Sequence, residues 1–154
     1  MLDQHAAKLT SPTSYAIRPD AKRFENWEQY FAGKAALGVA IDYALDWGLE
    51  NIQNRIYELA ADLRQKLSAL EGITVTDEGV ERCGLVTFYA QQIDASAIKT
   101  ALAKDKINVS VSSGSGSFVS FEERGLESLV RASVHYFNTT AEVDLLIEKL
   151  EGIL

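Results

Sequence analysis

The 154-residue sequence contains a single cysteine, Cys83, so no disulfide can form within the chain. Structural disulfides belong mainly to oxidising compartments, and a lone thiol therefore favours a reducing, cytoplasmic location. The two histidines, His5 and His135, lie far apart and do not have the ligand spacing of a zinc site. Composition therefore predicts neither a disulfide scaffold nor a metal protein.

The sequence also lacks basic runs and long hydrophobic runs. No apolar stretch approaches the ~20 residues that a membrane-spanning helix needs. The opening segment MLDQHAAKLT has no basic region followed by an apolar one, so it is not a secretory signal. With 22 acidic and 15 basic residues the net charge is −7, which argues against nucleic-acid binding through clustered Lys and Arg. What remains is typical of a soluble globular domain, with 47% hydrophobic and 24% charged residues.

Residues 1–22 have no sustained period of two or of 3.6 residues and include Pro12 and Pro19. A structureless lead of this length is uncommon in a compact domain. The sequence therefore predicts an irregular connector over 1–22, with the folded domain occupying 23–154.

Two helices are predicted next. Helical spacing begins at Trp27, and a stripe of alanines predicts a first helix that is buried along much of its length and ends at Gly48. A second amphipathic helix follows over 49–70, and we expect its charged face to be solvated. That face carries Glu58, Asp62, Arg64, Gln65 and Lys66. The alanine stripe consists of Ala32, Ala36, Ala40 and Ala44.

After Gly72 the pattern changes to β-branched and aromatic runs, which are typical of strands. Two helices alternate with these strands, one capped by Asp94 and a final one opened by the capping-box spacing of Thr139 and Glu142. The order β-β-α-β-β-α, preceded by two helices, predicts an α+β fold with a mixed or antiparallel sheet covered by helices. No glycine-rich nucleotide fingerprint is present. The predicted strands are 73–76, 84–90, 107–111 and 129–137.

The fourth predicted strand, LVRASVHYF, carries an arginine in its middle. Strand alternation places Arg131, Ser133 and His135 on one face, opposite an apolar face. A guanidinium, a hydroxyl and an imidazole together suit a carboxylate or a phosphate, because arginine donates bidentate hydrogen bonds. The alternative is an ordinary solvated sheet face, which antiparallel sheets commonly have.

Three other features are candidate sites, and each has a simpler interpretation. Arg23 precedes the first helix in RFENWEQ, where a cluster of charges at a helix start is the simpler interpretation. Cys83 has no basic partner nearby in the sequence, so a packed cysteine is expected. The segment SSGSGS (112–117) has the composition of a flexible loop rather than a phosphate-binding nest.

The motifs taken in order are more informative than any one of them. The ordered set resembles the C-terminal part of the class V aminotransferases, which are fold type I enzymes that depend on pyridoxal 5′-phosphate (PLP) and are related to cysteine desulfurases and selenocysteine lyases. The block with an arginine before YFNT is the most specific. The matching segments are RFENWEQYFAGKAALGVAIDYALDWGLENI (23–52), CGLVTF (83–88), INVSVSS (107–113) and LVRASVHYFNTTAEVDLLIEKL (129–150).

The resemblance implies a small C-terminal domain whose large PLP-binding domain, with the Schiff-base lysine, is missing from this sequence. It implies an amino-acid substrate whose α-carboxylate is bound by Arg131. Arg23, Ser133 and His135 are further candidates for substrate binding, which the resemblance does not assign. It also implies a homodimer in the parent enzyme, because active sites in this family form between subunits. On this interpretation residues 1–22 connect the two domains, and the fragment alone is inactive.

Two departures from the desulfurase pattern stand out. The loop before the last predicted strand, SVSSGSGSFVSFEERG, has no cysteine where desulfurases have their catalytic one, which favours a transaminase, epimerase or lyase. Glu28 stands near the position of a threonine that reaches the partner subunit's cofactor phosphate in desulfurases, and a carboxylate would repel that phosphate. A stand-alone α+β binding or regulatory module is the alternative function, and a desulfurase that uses Cys83 is a third.

Overall fold

The structure is a computed structural model that describes residues 5–25 and 28–154. The chain divides into two compact units, Met1–Asp46 and Trp47–Leu154. The predicted start of the first helix at Trp27 lies outside the described residues. The sequence placed a boundary near residue 22, whereas the division into units falls at the end of the first long helix.

The first unit begins with an antiparallel hairpin in which Leu9 faces Tyr15. The prediction of irregular structure over 1–22 is therefore wrong within the described residues, although the role of this segment as a connector stays a prediction. The turn at Pro12 and Thr13 lets two short strands pair. The elements of this unit are β1 (Ala7–Ser11), β2 (Ser14–Ile17), a short 3-10 helix (Ala21–Phe24) and α1 (Phe31–Trp47), whose last residue belongs to the second unit.

Helix α1 has no buried side chain, so its predicted burial is wrong for this chain. Its large apolar residues form two opposed stripes, one with Leu37 and Ile41 and the other with Val39 and Tyr43, and all four are at least half exposed. An all-round apolar helix is normally covered by a second layer of structure. Within the described residues of the first unit, α1 has no such cover.

The second unit contains a four-stranded, fully antiparallel sheet in the order β3-β4-β6-β5. Helices cover this sheet, as the α+β prediction requires. The elements are α2 (Leu49–Ala69), β3 (Ile73–Val75), β4 (Leu85–Ala90), α3 (Ala95–Lys104), β5 (Ser110–Ser113), α4 (Phe118–Arg124), β6 (Ser128–Ser133) and α5 (Thr140–Glu151).

The core of this unit lies on one face of the sheet. Val86 and Phe88 of β4 face Ala132 and Val130 of β6 across the ladder, and all four side chains are buried. Helices α2, α3 and α5 cover this face and contribute the rest of the core. Their fully or almost fully buried residues include Leu59, Leu63, Leu67, Ile98, Leu102 and Leu150.

The helix starts follow the predicted caps. The Asp94 carboxylate accepts a hydrogen bond of 2.7 Å from the Ser96 N–H. Thr139 and Glu142 form a complete capping box at the start of α5. Because these signals depend only on neighbouring residues, the sequence was sufficient to locate both helices.

Several strand boundaries and one helix differ from prediction. Ile107 does not enter β5, because Lys106 adopts a left-handed φ of 62° and the Ile107 N–H closes the end of α3 on the Leu102 carbonyl. The sequence missed α4 entirely, which follows the serine-rich segment. Strand β6 ends at Ser133, since His135 and Asn138 form a turn.

Among the described helices, none combines the length and apolar character needed to cross a bilayer.

Candidate functional site

Arg131 occupies the middle of β6, a central strand of the sheet in the second unit. Its cross-strand neighbours are Thr87 on β4 and Ser110 on β5. Side chains of directly opposed residues lie on the same face of a sheet. Arg131 is therefore flanked by a hydroxyl-bearing residue on each side.

The alternation expected for this strand is present from Val130 to Ser133. Val130 and Ala132 are buried in the core, whereas Arg131 and Ser133 are exposed on the other face. Leu129 breaks the pattern, because it shares the face of Arg131 and is nevertheless buried. The guanidinium of Arg131 makes no hydrogen bond or ion pair with any of the described residues. Its donors are thus directed to solvent.

A hydroxyl row extends from Arg131 to the edge of the sheet. The buried Thr76, just after β3, donates a hydrogen bond of 2.9 Å from its Oγ1 to the Oγ1 of Thr87. Because Thr87 accepts this bond, its own O–H is left to donate to a ligand on the same face. The sequence motifs do not identify Thr76, Thr87 or Ser110 as site residues. The polar third position of LVTFYA was the one signal that pointed to Thr87.

His135 lies beyond the strand, so the proposed row of Arg131, Ser133 and His135 follows β6 only as far as Ser133. The imidazole is stacked on the Phe137 ring, with centroids 4.9 Å apart and planes inclined by 28°. It also lies 4.7 Å from the Tyr136 ring. His135 is thus part of an aromatic cluster next to the strand, and its role at a site stays a prediction.

Arg23 belongs to the first unit, where it lies in the 3-10 helix. Its guanidinium is 4.7 Å from the centroid of the Phe24 ring and donates a hydrogen bond to the Arg18 carbonyl. Both contacts are local and exposed, which fits the simpler interpretation as a surface charge. Glu28 is also exposed.

Arg64 was expected on the solvated face of α2, and that expectation is wrong. Arg64 is only 8% exposed, and its Nε lies 2.6 Å from the Asp77 carboxylate. Its Nη2 also donates to the carbonyls of Cys83 and Leu85, at 2.7 and 3.3 Å. These bonds tie the loop between β3 and β4 to α2. The expectation was wrong because the partners of Arg64 lie in the long loop between β3 and β4, and the helical pattern does not reveal the path of that loop.

Arg124 of α4 holds the start of the same loop. It donates a hydrogen bond to the Thr76 carbonyl and lies 3.5 Å from the Glu78 carboxylate. Helix α4 therefore fixes the residue that begins the hydroxyl row. The sequence alone did not predict α4 and so could not assign this role to Arg124.

Cys83 is exposed, and the prediction of a packed cysteine is wrong. It lies in the loop held by Arg64, immediately before Gly84 at the entrance of β4. Its carbonyl rather than its thiol makes the described contact with Arg64. The serine-rich segment is only partly a loop, because Ser112 and Ser113 belong to β5. Ser113 and Ser115 hydroxyls are 2.9 Å apart in the turn that follows.

The sheet around Arg131 carries no residue that could bind PLP covalently. The four strands of the sheet contain no lysine that could form a Schiff base beside Arg131. Lys66 instead bridges Asp62 and Asp144, and Lys149 pairs with acidic neighbours. Nor do His, Cys, Asp and Glu side chains gather, within the described part of the chain, into a group able to hold a metal ion.

Comparison with known proteins places this geometry in context. A probable cysteine desulfurase from Halalkalibacterium halodurans is 33% identical over 129 residues, covering 84% of this chain and 31% of the relative. The apo structure of a cysteine desulfurase from Thermococcus onnurineus NA1 superposes with a TM-score of 0.79 at 21% identity, over 97% of this chain and 37% of the other. A C-DES variant solved with glycine covalently linked to the PLP cofactor has a TM-score of 0.68 at 22% identity, over 92% and 34%.

This chain therefore spans about a third of the length of the proteins that it matches. The structural neighbours confirm the predicted fold, that of fold type I PLP enzymes. The family model for aminotransferase class V matches residues 6–146. The chain belongs to the class V aminotransferase family.

Proposed function

We propose that this chain is the substrate-binding part of a PLP-dependent enzyme that acts on an amino acid, with Arg131 holding the substrate α-carboxylate. The observation that carries the proposal is the state of Arg131. It is exposed in the middle of a central strand, and its guanidinium is uncommitted among the described residues. A long charged side chain held on a rigid strand without a partner is well suited to ligand recognition.

The charge pattern around Arg131 supports the same role. The chain carries seven more acidic than basic residues, yet the four strands of the sheet contain no aspartate or glutamate. Thr87 and Ser110 flank Arg131 with hydroxyls that can donate to an anion. An anion on this face thus meets donors and no strand carboxylate.

The cofactor and its lysine belong, in this proposal, to a domain that the chain does not contain. Residues 1–22 would connect that domain to residues 23–154, and the parent enzyme would be a homodimer. The chain alone would then neither bind PLP covalently nor turn over substrate. Immunoblotting of the source cell with an antibody raised against this 16.9 kDa chain tests whether the chain is part of a longer polypeptide. A band of about three times that mass supports the proposal, and a band only at the mass of the chain contradicts it.

Carboxylate binding can be tested directly on the chain. Heteronuclear NMR would follow the backbone N–H signals of Thr87, Ser110 and Ser133, which the Arg131 variants keep, during titration with L-alanine and, separately, with ethylamine, which has the amine but no carboxylate. We expect a saturable shift with alanine, none with ethylamine, and loss of the shift in Arg131→Lys, which keeps the charge but not the planar fork. Equal responses to both compounds would contradict the assigned role.

A stand-alone amino-acid-binding module is the competing function. It predicts micromolar binding by the chain alone, whereas an incomplete site should bind only at millimolar concentrations because most contacts are missing. Incubation with PLP followed by borohydride reduction further distinguishes the stand-alone module from the incomplete site. A reduced adduct on a lysine of this chain would contradict a cofactor lysine located elsewhere.

Cysteine desulfurase activity is a third candidate, favoured by two observations. The Halalkalibacterium halodurans relative is described as a probable cysteine desulfurase and the Thermococcus onnurineus protein as a cysteine desulfurase, and Cys83, the chain's single cysteine, is exposed. The end of β5 and the segment that follows it, where the desulfurase pattern has its cysteine, carry Ser113, Ser115 and Ser117 instead. Mass spectrometry of the parent enzyme after incubation with L-cysteine tests this function. One added sulfur atom on Cys83 would support it, and an unmodified Cys83 would exclude this thiol.

A further inference from the structure

Two threonines lie in line with Arg131 on one face of the sheet. Val75 faces Phe88 across the β3–β4 ladder, and the Thr76 N–H continues this register by donating a hydrogen bond of 2.8 Å to the Thr87 carbonyl. Thr87 in turn faces Arg131 across the β4–β6 ladder. Because directly opposed residues share a face, the side chains of Thr76, Thr87 and Arg131 follow one another across the sheet.

Strand pairing brings Thr87 closer to Arg131 than Ser110 lies on the other side. The Val134 N–H donates a hydrogen bond of 2.9 Å to the Gly84 carbonyl, which makes these two residues a hydrogen-bonded pair. Bonded and non-bonded pairs alternate along an antiparallel ladder, so Thr87 and Arg131 form a non-bonded pair with Cα atoms about 4.5 Å apart. The backbone of Arg131 points instead to β5, where its bonded pair with Ser110 has a spacing of about 5.5 Å. Thr87 therefore carries the nearer hydroxyl.

Burial decides the direction of the hydrogen bond between the two threonines. Thr76 is 7% exposed, and its Oγ1 lies 2.9 Å from the Oγ1 of Thr87. Among the described residues, the Thr76 hydroxyl has no other hydrogen-bond partner. If Thr87 were the donor, the buried Thr76 proton would lack an acceptor, which is the costlier arrangement. Thr76 therefore donates, and the less buried Thr87 keeps its proton for an acceptor on the Arg131 face.

We propose that Thr87 is a second anchor for the substrate α-carboxylate, and that Thr76 is a positioning residue that orients the Thr87 hydroxyl. This inference rests on the function proposed above, in which Arg131 binds that carboxylate. A guanidinium fork holds both carboxylate oxygens but lets the ligand pivot about the fork. A hydroxyl beside the fork donates from a second direction and restricts the pivoting, so it sets the orientation of the bound amino acid.

The backbone of Thr76 is itself held on both sides, as a positioning role requires. Its N–H donates to the Thr87 carbonyl, and its carbonyl accepts a hydrogen bond from Arg124 of α4. A donor fixed in this way loses little conformational freedom when the ligand binds. Substitution of Thr76 should therefore weaken binding without removing any group that touches the ligand.

The test is titration of the chain with L-alanine, followed by NMR at the Ser133 backbone N–H, which every variant keeps. Thr87→Val removes the proposed donor, and Thr87→Ser keeps it. The double variant Thr76→Val/Thr87→Val removes both hydroxyls and so leaves no buried donor without an acceptor, which separates lost binding from lost stability. Thr74→Val is the matched control, because Thr74 lies on the same face of the sheet but opposite Tyr89, outside the row.

We expect the dissociation constant for L-alanine to rise about tenfold in Thr87→Val and in the double variant, because a hydrogen bond to a charged acceptor is lost. It should rise about threefold in Thr76→Val, where the Thr87 hydroxyl remains but rotates freely. Thr87→Ser and Thr74→Val should bind like the native chain. Ser110→Ala should weaken binding less than Thr87→Val does, since its hydroxyl is the more distant one.

Native affinity in Thr87→Val or in the double variant would overturn the inference, because the hydroxyl would then not contact the ligand. An equal loss in Thr74→Val, or a greater loss in Ser110→Ala, would overturn it as well. Arg131→Lys separates the two proposals. A shift that is lost in Arg131→Lys but unchanged in Thr87→Val contradicts the role of Thr87 alone. Native binding by Arg131→Lys, or no saturable shift in the native chain, contradicts the proposed function and this inference together.

Discussion

The Nε of Arg64 lies 2.6 Å from the Oδ2 of Asp77, and the two side chains are only 10% and 13% exposed. This ion pair joins the middle of α2 to the loop that leads into β4. We predict that Arg64→Met destabilises the second unit by about 3 kcal/mol, because the substitution leaves a shielded carboxylate without its partner. The carbonyls of Cys83 and Leu85 lose a donor in the same step. Urea unfolding followed by circular dichroism measures the change.

An exposed pair on the same helix provides the control. Arg55 and Glu58 are separated by 3.7 Å, and both are well exposed. Solvent screens such pairs, so Glu58→Ala should cost less than about 0.5 kcal/mol beyond helix propensity. Similar losses for Arg64→Met and Glu58→Ala would show that burial of the Asp77 pair is not the cause.

Gly84 allows β4 to approach both β6 and α2. A Cβ at this position would lie 2.5 Å from the Val134 carbonyl oxygen and 2.7 Å from Ile56 Cγ2. Since the first of these atoms is backbone, it cannot simply rotate away. We predict that Gly84→Ala destabilises the unit by about 2 kcal/mol through local overpacking. Thermal unfolding checks this value against Gly152→Ala, where the added carbon meets its nearest atom at 3.7 Å and should change stability little.

The capping box of α5 predicts a pH dependence. The Thr139 N–H, followed by the Asn138 side chain, lowers the pKa of Glu142 below its ordinary value of 4.5. A lowered pKa in the folded state means that the ionised form stabilises the fold. This contribution is complete above the ordinary pKa and is lost as the pH falls through the lowered one. Acidification should therefore destabilise the native chain more than Glu142→Gln, in which glutamine keeps the cap but does not titrate.

Urea midpoints at neutral pH and at about pH 3 provide the measurement. Glu151→Gln removes a carboxylate from the other end of α5, outside the capping box, and serves as control. An identical acid-induced fall in the native chain and in Glu142→Gln would contradict the assignment.

Local signals in the sequence were sufficient for much of the fold. Asp94 and Thr139 marked two helix starts, because a cap depends on residues two or three positions away. Alternation in β6 identified the buried face with Val130 and the open face with Arg131. Family resemblance then supplied the fold type, which no local pattern contained.

The errors share a physical cause, which is contact between residues distant in sequence. Arg64 looked like a surface charge, because its partner Asp77 lies in a loop whose path the helix does not determine. Helix α1 looked like a buried helix, because an apolar stripe indicates that a cover is needed but not whether the chain supplies one. Thr76 and Thr87 became candidate site residues only when strand register brought them into line with Arg131.

Val130 and Arg131 are adjacent in β6 and lie on opposite faces of the sheet. Substituting each of them tests which face stabilises the fold and which face binds the substrate. Val130 is fully buried, so Val130→Ala should cost about 2 kcal/mol through lost apolar contact and a cavity. Arg131 is exposed and its guanidinium has no partner among the described residues, so Arg131→Ala should cost less than about 0.5 kcal/mol. The same Arg131→Ala variant should lose the carboxylate-dependent NMR shift, which Val130→Ala should retain wherever it stays folded. A stability loss from Arg131→Ala as large as that from Val130→Ala would mean that the arginine supports the fold, and its proposed role in substrate binding would lose its structural basis.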